Sequence, residues 1–259
     1  MRALSKTRLF AALLVVGVIA IGLVAVAAQA SASGNPGGSV GLTGSAAVAP
    51  TVSSGLTSTT YTFSTATNPI NCGNNSGWWT ASTASNSDCN ANYLTGRDSS
   101  FGFLNGGYAA FDITALTGLT NPCPPSSAYL SVPAAEGSHA FYGSGPTSAT
   151  LALYDVSTNR ITLSAKSNNP NAAISSDLRS GAIYGGPYSL PTTTNGGTFT
   201  LSLGSAGLTA LGQAKEFGVP YFLIGMGLIN PPDHTWLFGF SGSSISLTVA
   251  IPKLCKVYP

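Results

Sequence analysis

Residues 107–132, GYAAFDITALTGLTNPCPPSSAYLSV, constrain this chain more than any other stretch. Tyr108, Ala110, Phe111 and Ile113 supply apolar positions in an extended run that Asp112 brings to an end. Ala128, Leu130 and Val132 then alternate with Ser127, Tyr129 and Ser131, the period of a half-buried strand. The stretch reads as strand, short wound connection, strand, with the downstream strands laid against this pair.

The same alternation returns at short intervals. Residues 58–66 (STTYTFSTA), 149–156 (ATLALYDV), 198–203 (TFTLSL), 236–240 and 244–251 each read as a strand. Residues 160–165 (RITLSA) follow a turn at Asn159 and are expected to pair back as a hairpin. Residues 217–229 (FGVPYFLIGMGLI) are apolar on both faces, which suits a central strand. Asn105-Gly106 carries a hairpin-turn signal, and residues 166–196 read as a long polar connection containing Ile174, Leu178, Ile183 and Tyr184. Beyond the N-terminus the convincing helical piece is 205–214 (SAGLTALGQA), with Ser205 as N-cap and Leu208 and Leu211 three apart. Many short strands with Gly, Pro and Asn turns predict an all-β, jelly-roll-like antiparallel sandwich with one short helix.

The N-terminus has a different character. Arg2, Lys6 and Arg8 precede an unbroken apolar run over residues 10–28, and Ala28-Gln29-Ala30 matches a signal-peptidase site. Residues 1–32 therefore read as a secretory signal. The alternative is an uncleaved anchor, since the run reaches the minimum for a membrane span. Residues 33–57 read as a flexible linker, with a strand near 45–52, and residues 58–255 as the sandwich. Within it, 67–96 form a Cys- and Trp-rich insert dense in Asn, Ser and Gly, where regular structure is not expected. The expected location is secreted or associated with the cell surface.

Charge narrows the function classes. Charged residues make up 7% of the chain, against roughly 25% in an average soluble protein. Ten basic residues face eight acidic ones; setting aside the three in the signal leaves seven against eight. Phosphate backbones require a basic patch, so nucleic acid is excluded as a partner. Membrane contact is expected only through an uncleaved N-terminal segment.

Several phrases, in order, carry a resemblance: FDITALTG and SAYLSV (within 111–132), LYDVS (153–157), DLRSGAIYG (177–185), LGSAGLTAL (203–211), FLIGMGL (222–228) and FGFSG (238–242). They resemble the exported β-sandwich domain of many bacterial surface proteins, often followed by a sorting tail of the PEP-CTERM kind. They are more distantly similar to jelly-roll domains of the DNRLRE and carbohydrate-binding-module type. The resemblance spans roughly residues 97–249. It implies a secreted or wall-associated sandwich with no activity common to the family. Two departures are visible: residues 254–259 are too short and polar for a sorting tail, and the Cys/Trp-rich insert is foreign to the pattern.

Four cysteines in the exported part permit two disulfides, with three connectivities open. The favoured pairing is Cys72–Cys89 as a local clip and Cys123–Cys255 as a long one. No CxxC or HxxxH spacing supports a metal site. Trp78 and Trp79, with Tyr93 nearby, are the candidate ligand-binding residues: exposed aromatics stack on the apolar faces of sugars. The competing reading makes one Trp core, because adjacent strand residues point to opposite faces. Trp236, Phe238 and Phe240 are expected to share a core-facing side.

The acids are Asp88, Asp98, Asp112, Glu136, Asp155, Asp177, Glu216 and Asp233, and none forms a DxDxDG calcium loop. A structural Ca²⁺ at Asp98 or Asp112 has no motif behind it; turn capping explains Asp112, Asp155 and Asp233. No cofactor is expected. Glycoside hydrolysis needs two carboxylates about 5–9.5 Å apart, and nothing in the sequence pairs two. His139 and His234 lie in loops, and Gly239-Phe240-Ser241-Gly242-Ser243 fails the GxSxG elbow. Asn74-Asn75-Ser76 fits a glycosylation sequon. The first reading is thus a non-catalytic structural or interaction protein of the cell surface. Its partners would be cell-wall or extracellular polysaccharide or surface proteins. The second reading is a carbohydrate-binding module using Trp78 and Trp79, and the third a secreted hydrolase.

Overall fold

The structure is a computed structural model that describes residues 57–70, 74–81, 92–99, 103–135, 141–142, 148–165, 171–192, 196–239 and 244–255. The signal reading of 1–32, the strand near 45–52 and all but the last residue of the 33–57 linker lie outside them.

Strands β1 (Ser58–Ser64), β5 (Ser127–Pro133), β9 (Thr198–Ser202) and β12 (Ser246–Pro252) form one antiparallel sheet in the order β1-β12-β5-β9. In the second sheet, β4 (Phe103–Asp112), β10 (Tyr221–Leu228), β7 (Ser148–Tyr154) and β8 (Ile183–Pro191) are neighbours in that order, again antiparallel. Following the chain, these eight strands fall in the first, second, first, second, second, first, second and first sheet. That is the connection pattern of a jelly roll, two interleaved Greek keys in two packed sheets.

Alternation explains the packing. Ala128, Leu130 and Val132 of β5 and Leu247, Val249 and Ile251 of β12 point inward. They meet Ala109 and Phe111 of β4, Phe222, Ile224 and Met226 of β10, and Leu151 and Leu153 of β7 in one core between the sheets. The strand–connection–strand reading of 107–132 holds, but β4 and β5 do not pair. They lie in opposite sheets, and the connection, with helix α1 (Thr114–Thr117) and buried Leu116, carries the chain across the sandwich edge.

The second sheet is wider than a bare jelly roll. Strands β3 (Leu94–Asp98), β11 (Thr235–Phe238) and β6 (Phe141–Tyr142) extend it, and β2 (Ser76–Thr80) pairs with β4. Tyr108 faces Gly225 on one side and Gly77 on the other, while Asn105 faces Gly96 and Thr80. So β2 holds one edge of β4, and β10 and β3 succeed one another along the opposite edge. The 67–96 insert, expected to be irregular, therefore contributes β2 and the first three residues of β3. The Asn105-Gly106 turn signal falls in mid-strand: both residues pair with β2 inside β4.

The second sheet also has a covered outer face. Helices α2 (Arg160–Ser164) and α3 (Ala172–Ser180) bury Leu163, Ile174 and Leu178 there against Trp79 and Tyr108. The hairpin expected at 160–165 is thus a helix. Asn159 caps it, its side chain accepting from Thr162 N at 2.9 Å. The Arg160 guanidinium lies 3.8 Å over the Tyr221 ring and donates to Asn75 Oδ1. The 166–196 connection holds α3 and β8, with Asn171 capping α3. Ile174 and Leu178, four apart, are the helical signal inside that polar stretch. Glycines let α3 lie flush on the sheet. A Cβ at Gly106 would come 2.7 Å from Leu178 Cβ, and one at Gly225 would come 2.5 Å from Leu178 O.

Helix α4 (Ser205–Glu216) buries Leu211 and Ala214 at the sandwich end. Gly204, not Ser205, occupies its N-cap position, and no side chain caps it. The strand expected over 217–229 begins at Tyr221; Phe217 is 74% exposed in the turn before it. In β11 the buried residues are Thr235 and Leu237, with Trp236 half-buried, so the expected inward face at Trp236 is reversed. The Phe238 side chain and Phe240 lie outside the described residues. Among the described residues, no helix is long and apolar enough to cross a membrane.

Candidate functional site

Two of the three aromatics singled out from the sequence, Trp79 and Tyr93, are buried. Trp79 is 4% exposed and donates Nε1 to Leu163 O at 3.1 Å. It belongs to the layer under α2 and α3. Tyr93 is 2% exposed, sits in the core between the sheets and donates its hydroxyl to Pro133 O at 2.7 Å. Burial pushes its phenol well above the usual range. Trp78, on the opposite face of β2 from Trp79, is half-buried. Adjacent strand positions separate the two indoles, as the competing reading required, and the ring faces of Trp79 and Tyr93 are packed away from solvent.

Of the cysteine pairings, Cys123–Cys255 is present, with Cα atoms 5.5 Å apart across 132 residues of sequence. It ties the end of β12 to the connection after α1. Asn121 supports the same turn, donating to Pro252 O and accepting from Cys123 N. Cys72 and Cys89 lie outside the described residues, as do Asp88, Glu136 and His139.

Three of the described acids hold backbone, whereas Asp155 Oδ1 is buried without a hydrogen-bond partner. Asp112 accepts from Thr114 N at 3.0 Å and from the Asn68 side chain. Burial opposes its ionisation, but the hydrogen bonds from Thr114 and Asn68 and the charge of Arg160 together hold its carboxyl below the usual range. Asp177 accepts from both the backbone N–H and the hydroxyl of Ser157 and of Thr158. Those bonds outweigh its partial burial and lower its pKa as well. Asp233 accepts from Ser99 N and Oγ and from His234 N, which with the His234 charge holds it at about 2. His234 is exposed, its Nε2 3.9 Å from Asp233. The side chain of Asp98 lies outside the described residues. Among the described residues no group of three or more His, Cys, Asp or Glu side chains could hold a metal ion. Asn74, the sequon asparagine, is 3% exposed.

The structure gathers a different set of residues. Arg97 of β3 and Arg179 of α3 line one cleft of about 580 Å³. Tyr154, at the end of β7, and Ser99 and Asn230 add polar groups to it. Leu104, Leu228, Ile229 and Pro231 give it an apolar wall. Its shape depends on Gly227, where a Cβ would come 2.9 Å from the Tyr154 ring and 3.1 Å from Arg179. Arg179 Nε donates to Ser175 O at 2.9 Å, which fixes the guanidinium plane. Desolvation lowers the Arg179 pKa, and the neighbouring Tyr154 partly offsets it. Sequence reasoning missed this site, because its two arginines are 82 positions apart and belong to elements whose packing had not been anticipated. A second surface feature is an apolar strip. Ile161 and Phe217 are each 74% exposed beside Val219 and Tyr221.

No family model matches the chain, and no curated protein is significantly similar to it.

Proposed function

We propose that this chain is an exported, non-catalytic structural or interaction protein of the cell surface. The observation that carries the reading is the Cys123–Cys255 disulfide. Disulfides form and persist in oxidising compartments outside the cytoplasm, and this one staples the whole sandwich rather than a local loop. The charged N-terminus, apolar run and small-x-small site of residues 1–32 agree with export. So does the resemblance of residues 97–249 to exported bacterial sandwich domains. Several polar side chains that chemistry could recruit are engaged in structure: Asp112, Asp177 and Asp233 hold backbone, and Tyr93 and Tyr108 hold buried carbonyls. A weakly charged surface and an exposed apolar strip suit contact with other surface molecules.

The test is fractionation of cells producing the full chain. The chain is expected in the wall fraction or the medium, shortened by the length of the signal or held by it. Recovery of the full-length chain in the cytosol would overturn the reading.

A further inference from the structure

Arg179 is a cation held partly out of water, and among the described residues no carboxylate forms a salt bridge with it. Its Nε is satisfied by Ser175 O. Among the described residues, no acid lines the cleft it shares with Arg97. Asp233 touches the cleft through Ser99, and its oxygens already accept from Ser99 and His234. A guanidinium in that position is stabilised by a planar oxyanion, which it can bind in a two-point fork. Arg97, exposed on the facing strand, supplies a second fork from across the same cleft.

The rest of the lining selects among oxyanions. A free inorganic anion has no use for the apolar wall of Leu228, Ile229 and Pro231, whereas the C–H face of a pyranose does. Tyr154, Ser99 and Asn230 are neutral hydrogen-bonding groups of the kind that bind hydroxyls. The volume, about 580 Å³, lies within the range of roughly 300–1,000 Å³ usual for small-ligand sites.

We propose that the Arg97–Arg179 cleft binds the carboxylate of an acidic sugar residue, with the ring laid against the apolar wall. The inference rests on the interaction role above and names its ligand class: uronate-bearing polysaccharide. It moves the sugar contact from the buried Trp79 to the opposite edge of β4.

The experiment is calorimetric titration of the purified chain with tetragalacturonate, its methyl ester and inorganic phosphate. Tetragalacturonate is expected to bind, with affinity falling between about 0.05 and 0.5 M salt. The methyl ester, which keeps the rings and loses the charge, is expected to bind roughly tenfold more weakly. Arg97→Gln, at an exposed position, is expected to weaken binding at least about fivefold. Arg179→Lys, which keeps the charge and loses the fork, is expected to do the same with an unchanged melting curve. The proposal is overturned if tetragalacturonate does not bind at millimolar concentration, or if ester and acid bind alike. It is also overturned if phosphate competes as well as the sugar, or if both variants bind as the parent does. These outcomes are independent of where the chain resides in the cell, so failure here leaves the fractionation result standing.

Discussion

Replacing Gly225 by Ala tests how the helical layer is mounted on the sheet. The new Cβ would lie 2.5 Å from Leu178 O and 3.0 Å from Leu178 C and Cα. These are backbone atoms of α3, so no side-chain rotation relieves the overlap. Overpacking of a well-filled site costs about 1–3 kcal/mol. The loss of chain entropy in the unfolded state returns about 0.4–1 kcal/mol. If α3 lifts instead, the burial of Leu178, worth about 1.5–3 kcal/mol, is given up in part. The expected net destabilisation is therefore about 1–2 kcal/mol. Gly118→Ala is the control, because its Cβ would meet nothing closer than Thr114 O at 3.7 Å; it is expected to be neutral or slightly stabilising. Urea unfolding followed by tryptophan fluorescence measures both, with Trp79 in the affected cluster. A Gly225→Ala protein as stable as the parent would refute the flush packing of α3. So would recovery of the lost stability on adding Leu178→Ala, since that truncation leaves the obstructing backbone in place.

Three further outcomes follow from the same structure. Removing the disulfide with Cys123→Ser and Cys255→Ser is expected to cost about 3–5 kcal/mol in denaturant unfolding, from the entropy of closing so long a loop; a cost under about 1 kcal/mol would contradict that. Leu163 O accepts from both Trp79 Nε1 at 3.1 Å and Tyr108 Oη at 3.0 Å. Trp79→Phe and Tyr108→Phe each leave it one of these donors, whereas the double variant removes both from a buried carbonyl and is expected to exceed the sum of the singles by about 1 kcal/mol. Asp177, whose folded pKa lies below its ordinary 3.8, adds stability that is present above about pH 4 and is lost as pH falls through the folded value. Asp177→Asn is expected to flatten that part of the acid-unfolding curve, and an unchanged slope would remove Asp177 from the account.

The strands of the jelly roll were legible wherever one face meets the core and the other meets water. Ser127 to Val132 and Ser246 to Ile251 alternate cleanly, and both are strands of the first sheet. The pairing of strands was not legible, because alternation shows that a segment has an inward face but not which sheet it joins. That is why β4 and β5, adjacent in sequence, were expected side by side. The second sheet obscured itself in another way. Its outer face is roofed by α2 and α3, so Tyr221 to Leu228 are apolar or glycine on both faces and the glycines read as turns. Asn105-Gly106 misled for the same reason: Gly106 is there to admit Leu178, not to reverse the chain. Trp79 and Tyr93 read as surface aromatics because their neighbours are Asn, Ser and Gly; their packing partners are far away in sequence. The Arg97–Arg179 cleft has no local signature at all, since it exists only once α3 is seated on the sheet.

Maturation of the sandwich outside the cytoplasm, proposed above, is tested by the state of Cys123 and Cys255 in living cells. Cells producing the full chain are quenched with an alkylating reagent, and the chain is mapped by mass spectrometry without reduction. Export is expected to yield a peptide pair linked through Cys123 and Cys255, with neither residue alkylated. Recovery of both as alkylated free thiols would contradict it.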